Sequence, residues 1–179
     1  MAQLNPEFSR PVRLDTLGDV PRAISVEAGA EERAALARRF RIVAIDRLEA
    51  EAMLTRIGDA VNVSGRIVAA ATQSCVASGE DVPETIDQPF ALRFVPEADA
   101  EIGTADEEIE LEEAALDEVG YAGGAVDLGE AVAQTLALAL DPYPRAPNAD
   151  AILRAAGVAK EGEEKRTGAL AGLKDLLKK

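Results

Sequence analysis

Side chains that make and break covalent bonds are scarce in this chain: its 179 residues include no histidine and a single cysteine, Cys75. Without imidazole the commonest general base and the commonest metal ligand are both missing, and serine triads and most zinc sites go with them. Cys75 follows Gln73 and Ser74, with no base or cation close in sequence to lower its pKa, so it reads as a buried or inert thiol. Gly120, Gly123, Gly124 and Gly129 do not make a dinucleotide fingerprint, and no phosphate-loop pattern with its lysine occurs; these glycines read as turn residues. The Asp106-Glu107-Glu108 run would attract divalent cations weakly, but it lacks the glycine turn and ligand spacing of a calcium loop. With 33 carboxylates some fall close together by chance, so a pair of them is no evidence for hydrolytic chemistry. A hydrolase would need acidic metal ligands that the sequence does not single out. The expectation is a protein with no catalytic residue, no metal and no cofactor, not an enzyme, that works by binding.

The candidate binding residues are cationic. Arg33, Arg38, Arg39 and Arg41 form one arginine cluster, which is either a solvated helix face paired with Glu31 and Glu32 or a small phosphate-contacting patch. All five lysines, Lys160, Lys165, Lys174, Lys178 and Lys179, lie at the C-terminal end, where residues 160–179 hold 6 basic and 4 acidic side chains. Elsewhere acid dominates: residues 1–96 hold 11 basic and 14 acidic side chains, and residues 97–159 hold 2 and 15, which is almost the whole imbalance behind the net charge of −14. Such a charge repels phosphate backbones, because nucleic-acid affinity comes largely from basic side chains that displace condensed counterions. Direct RNA contact would have to run through a local patch, with the arginine cluster and Lys174, Lys178 and Lys179 as the candidates.

A lone cysteine and the lack of a basic, apolar leader point to a cytoplasmic address. No stretch approaches the roughly 18 apolar residues of a membrane helix. The nearest runs from Ala131 to Leu140 and carries Gln134 and Thr135. No membrane partner and no small-molecule substrate are expected.

The elements that must position these residues follow from periodicity. Phe8, Val12 and Leu14 alternate on even positions, Arg10 interrupting, before a turn at Asp15 to Asp19; Ile24 and Val26 alternate with Ser25 and Glu27; both read as short strands. Ala30 to Arg39 reads as an amphipathic helix. Leu48 to Ile57, Gly58-Asp59 and Val61 to Thr72 read as an antiparallel hairpin, and Ile86, Phe90, Leu92 and Phe94 mark a third strand of a meander. A strand could also lie around Ile109 and Leu111, inside the acidic run from Glu97 to Glu118, whose plainer reading is a solvated loop or an exposed edge. Asp127 with Glu130 three residues later predicts a capping box, opening a helix with Leu128, Val132, Leu136 and Leu140 at four-residue spacing, stopped by Pro142. A short helix from Asp150 to Ala156 has Asn148 as its cap and Gly157 beyond its end. Leu170, Leu173 and Leu177 return at helical spacing in the tail. With only 3% aromatics the core must be aliphatic, with Phe8, Phe40, Phe90 and Phe94 as its few large pieces.

Three stretches together carry a resemblance: Val63-Ser64-Gly65-Arg66-Ile67 leading to Thr72-Gln73-Ser74-Cys75; Phe90-Ala91-Leu92-Arg93-Phe94-Val95-Pro96; and Val126-Asp127-Leu128-Gly129-Glu130 running to Pro142-Tyr143-Pro144-Arg145-Ala146-Pro147. In order and spacing they resemble the YceD family, the large ribosomal RNA subunit accumulation proteins, of the alphaproteobacterial type, over roughly Pro6 to Leu177. Cys75, Asp127, Leu128, Gly129, Pro142 and Pro144 are the motif residues. The resemblance implies a factor needed for synthesis, processing or stability of large-subunit 23S ribosomal RNA, with the rRNA precursor or a ribosomal protein as partner. Many relatives carry two cysteine pairs that would suit zinc. Here Cys75 matches one member, Ser78 stands in place of its mate, and Tyr143 to Asp150 has no cysteine.

The fold expected is α+β: an antiparallel meander, open or barrel-like, packed with two or three short helices. Residues 1–157 form one domain and residues 158–179 a flexible, basic tail with a short amphipathic helix. The function expected is ribosome biogenesis by binding, with an acidic, chaperone-like module for basic ribosomal proteins, without RNA contact, as the alternative.

Overall fold

The computed structural model describes residues 6–97 and 117–158. Seven strands and three helices run in the order β1 (Pro11–Arg13), β2 (Arg22–Glu27), α1 (Ala30–Phe40), β3 (Ala44–Ile57), β4 (Ala60–Ser74), β5 (Asp81–Pro96), β6 (Asp117–Tyr121), β7 (Ala125–Asp127), α2 (Leu128–Ala139) and α3 (Ala149–Ala155) among the described residues. Five strands make one sheet in the order β2-β3-β4-β5-β6, and β1 pairs with β7 in a small second sheet. The fold is α+β, and the meander is open: β2 and β6 are the opposite edges of the large sheet and do not meet.

The hairpin β3-β4 is the backbone of the sheet. Ile57 pairs with Ala60 across Gly58-Asp59, and Gly58 takes φ 63°, the left-handed conformation that a two-residue hairpin loop uses and a Cβ disfavours. Alternation then sorts the side chains. Leu48, Ala50, Ala52 and Leu54 of β3 and Val61, Val63, Ile67, Ala69 and Ala71 of β4 are buried, while Glu51, Met53 and Ser64 are exposed on the other face. β5 adds Ile86, Phe90, Leu92 and Phe94 to the inner face. Gly65 lets Phe90 come across the sheet: a Cβ there would stand 3.0 Å from the Phe90 ring and 2.3 Å from the Glu51 carbonyl. β6 departs from the meander, pairing parallel to β5 with Val119 opposite Phe94.

Two helices cover the inner face. α1 contacts β3 through Leu36 and Ala37, and α2 contacts β1, β4 and β5. The four-residue series of α2 is all inside, with Leu128, Val132 and Leu136 at 0% exposure and Leu140 at 9%. Phe8, Phe90 and Phe94 are buried as expected, whereas Phe40, at the end of α1, is only half-buried.

Two local expectations change. The first strand is shorter than the alternation suggested: it begins at Pro11, and Phe8 is buried ahead of it in irregular chain because Ser9 and Arg10 are tied to Asp127. The turn after it is a 3-10 turn at Leu14–Thr16. The acidic run around Ile109 and Leu111, and the tail with Leu170, Leu173, Leu177, Lys174, Lys178 and Lys179, lie outside the described residues.

Candidate functional site

Arg38 and Arg39 sit in the last turn of α1 and Arg41 caps it, where basic side chains complement the partial negative charge of a helix C-terminus, while Arg33 lies in its first half. The members of this arginine cluster have different fates. Arg39 reaches across to α2: its Nη1 and Nη2 donate to Glu130 at 2.8 and 2.7 Å, and Nη1 also donates to Glu7 at 3.1 Å. Those hydrogen bonds hold the Arg39 pKa above its ordinary value, against the opposing effect of burial. The same contact, assisted by Gln134 Nε2 at 3.0 Å, holds the Glu130 carboxyl below its ordinary value, although burial pushes the other way. Arg33 donates to the Ala28 carbonyl at 2.6 Å. Arg38 and Arg41 are exposed and have no ion pair among the described residues; Arg41 closes the helix in the left-handed region at φ 57°.

Neither glutamate expected to pair with this cluster does so. Glu32 accepts from Arg10 Nη1 and Nη2 at 2.7 and 2.9 Å and from the Gly29 amide at 2.7 Å, which caps the start of α1. The Glu32 carboxyl is held below its ordinary value first by the Arg10 hydrogen bond. The sequence could not show this, because Arg10 lies 22 residues away from Glu32.

The motif Asp127-Leu128-Gly129-Glu130 is a clasp on the N-terminal segment. Asp127 Oδ1 accepts from the Glu130 amide at 3.1 Å, the cap that was expected. Its carboxylate also accepts from the Arg10 amide at 2.8 Å and the Ser9 hydroxyl at 2.5 Å. Leu128 is fully buried, and Leu128 N–H donates to the Arg10 carbonyl at 3.1 Å. Gly129 has no side chain because the chain crosses there: a Cβ would lie 2.5 Å from the Phe8 carbonyl oxygen and 2.9 Å from the Arg10 nitrogen. Only half of the expected capping box forms, since the Glu130 side chain turns to Arg39 instead of reaching back to Asp127.

At the far end of the hairpin, Cys75 joins the β4-β5 turn to the segment after α2. Its sulfur accepts from the Ala146 amide at 3.2 Å, the Val76 amide donates to the Pro144 carbonyl at 2.9 Å, and Cys75, Ala146 and Ala149 form a small apolar cluster. Gln73, also buried, donates to Glu84 at 2.8 Å and to the Asp141 carbonyl at 3.1 Å. Pro142 is exposed just past the end of α2, and Pro144 is buried. The Cys75 thiol is covered, as expected, at 3% exposure. Its acidity is not that of an unassisted thiol: hydrogen bonding to the sulfur, from the Ala146 amide first, brings it down to about 7. That amide reaches it through the fold, because Ala146 is 71 residues away in sequence.

The zinc site that the resemblance implies for relatives does not fit these residues. One thiol is present, Ser78 turns its hydroxyl to Glu80 at 3.0 Å, and Tyr143 is 72% exposed. No three histidine, cysteine, aspartate or glutamate side chains converge on one point among the described residues.

The outer face of the large sheet is the other charged surface, and sequence patterning alone did not single it out. It carries Arg47 paired with Glu49, Arg66 with Asp87 at 2.6 Å and Arg93 with Glu118 at 3.7 Å. Glu27 and Glu51, on the same face, have no salt bridge or hydrogen bond through their carboxylates among the described residues.

Among the described residues no helix is long and apolar enough to cross a membrane. No curated protein and no solved structure compared with the chain matches it. A family comparison does: residues 63–177, from near the start of β4 onward, match the family described as "Large ribosomal RNA subunit accumulation protein YceD". That span takes in Cys75, the Asp127-to-Glu130 clasp and the Pro142 to Pro147 exit, and the chain accordingly belongs to the YceD family, which ties it to accumulation of large-subunit ribosomal RNA and so to ribosome biogenesis.

Proposed function

We propose that the chain serves ribosome biogenesis as a binding factor that makes and breaks no covalent bonds, holding a protein component of the large-subunit precursor. What supports this is the use to which the described charged groups are put. The arginines expected to meet phosphate are partly withdrawn into structure, Arg39 onto Glu130 and Glu7 and Arg33 onto a carbonyl. Carboxylates remain open on the outer sheet face of a chain with net charge −14. An acidic surface of this kind attracts and steers a basic polypeptide and holds RNA off. Of the cationic candidates, Arg38 and Arg41, with Lys174, Lys178 and Lys179, are those on which a direct RNA contact would fall. The protein works in the cytoplasm on this reading.

The experiment is sedimentation of the tagged protein from cells through a gradient that separates large-subunit precursors. Comigration with an immature large subunit is expected, and a strictly free pool would count against the role. RNA contact is tested separately: Arg38→Glu with Arg41→Glu and removal of residues 158–179 should abolish any salt-sensitive RNA binding, while protein binding persists. Reproducible cleavage of precursor RNA by the purified chain with magnesium would overturn the non-enzymatic reading.

A further inference from the structure

Among the described residues, strand β2 is one edge of the five-stranded sheet. The Ala28 amide donates to the Leu48 carbonyl at 3.0 Å, in the same register that sets Val26 opposite Ala50 and Ile24 opposite Ala52. In an antiparallel pair the hydrogen-bonded residues alternate, so the even-numbered residues of β2 turn their backbone groups to β3, while Ala23 and Ser25 turn theirs outward. Further along this edge the Glu27 carbonyl is taken by Arg10 Nη2 at 3.0 Å. Beyond the edge lies a groove of about 540 Å³ whose other wall is β1 and whose apolar residues include Val12, Ile24 and Val26. β1 pairs only with β7 among the described residues, so the groove runs between two strand edges.

The opposite face of β2 has the opposite character. Ala23 and Ser25 are small and exposed, Glu51 lies across from Ser25, and Glu49 lies across from Glu27. A cleft of about 510 Å³ runs over this face, lined by Ser25, Glu27, Glu49 and Glu51 together with Arg66. A strand laid on β2 would thus have apolar surroundings on one side and carboxylates on the other, in the two-residue rhythm of its own side chains.

We infer that an extended segment of a basic partner protein adds to β2 as a further strand, its apolar side chains entering the β1-β2 groove and its alternate lysines or arginines lying over Ala23 and Ser25 toward Glu27 and Glu51. Backbone pairing with Ala23 and Ser25 supplies the affinity, and the two unlike faces supply the selectivity. Charge favours this occupant over an acidic or phosphate-bearing one. The groove's arginines are already engaged, Arg10 by Glu32, Arg13 by Asp15 and Arg22 by the Thr16 carbonyl at 3.4 Å. Glu51 is open, and the small Ser25 leaves a long cationic side chain room to reach it. This inference rests on the reading that the chain binds a basic protein, and it names the place.

The test uses the full chain and an alternating valine-lysine peptide as the probe. Binding should slow hydrogen exchange at the Ala23 and Ser25 amides and weaken as salt is raised. Ser25→Pro, which removes an outward amide and leaves the β3 pairing intact, and Glu51→Lys should each weaken binding by about tenfold, the scale of one good interfacial contact. Should Ser25→Pro fail to fold, Glu51→Lys carries the test, since that exposed side chain holds nothing in place. Wild-type affinity in both variants, equal binding of a valine-glutamate peptide, or protection of the same amides by oligouridine would overturn it. If the peptide does not bind while the chain still comigrates with large-subunit precursors, the groove assignment falls and the proposed function stands.

Discussion

Arg39 grips Glu130 with two hydrogen bonds where α1 meets α2, whereas Arg66 meets Asp87 with one on the open face of the sheet. Both are arginine-carboxylate pairs, but their side chains are 36% and 20% exposed at the junction and 59% and 49% exposed on the sheet. Water and salt screen the second pair and far less the first. The junction also surrounds its charges with backbone: Asp127 takes the amides of Arg10 and Glu130, and Glu32 takes the amide of Gly29. The outer face leaves Glu27 and Glu51 without such partners. In the junction, charge fixes where the N-terminal segment, α1 and α2 sit; on the outer face, charge is available to another molecule.

That contrast can be broken most sharply at Gly129. A Cβ would collide with the Phe8 and Arg10 backbone, so Gly129→Val should lower the unfolding free energy by about 3 kcal/mol or prevent folding, as read from a urea midpoint. Next, Asp127→Ala removes a helix cap and leaves the Arg10 amide and Ser9 hydroxyl without their acceptor, a loss of about 2 kcal/mol by the same measurement. Arg39→Ala should cost about 1 kcal/mol at neutral pH. Its effect has a pH signature. Because Arg39 holds the Glu130 carboxyl below its ordinary value of 4.5, the stability difference between wild type and variant is fully present above pH 4.5 and disappears as pH falls through the lower folded value. Arg66→Ala, the outer-face counterpart, should leave the urea midpoint at its wild-type position at any salt concentration. A cost for Arg66→Ala equal to that of Arg39→Ala would erase the distinction between the two regions.

Strand and helix placement was legible because it rests on short-range periodicity. The Gly58-Asp59 hairpin, the even-numbered apolar residues of β5 and the four-residue series of α2 stand where alternation put them. The site was less legible, for a consistent reason. Arg39 finds Glu130 at a separation of 91 residues, and Ser9 finds Asp127 at 118; neither contact leaves a local pattern. Asp127, Leu128 and Gly129 stood out as a motif, but their role in clasping the Phe8 to Arg10 segment depends on a chain crossing that spacing does not encode. The same applies to the β2 edge. Alternation set Ile24 and Val26 on one side of the strand and Ser25 and Glu27 on the other, yet only the sheet order leaves the backbone of Ala23 and Ser25 turned outward.

The account is tested most directly by placing Arg39→Ala and the double variant Glu27→Lys with Glu51→Lys side by side in one sedimentation experiment with large-subunit precursors, each checked for its urea midpoint. The account predicts that the Arg39 variant is less stable yet still comigrates with the precursor, while the double variant keeps the wild-type midpoint and moves to the free pool. A double variant that comigrates normally, beside an Arg39 variant that is fully stable and released, would contradict it.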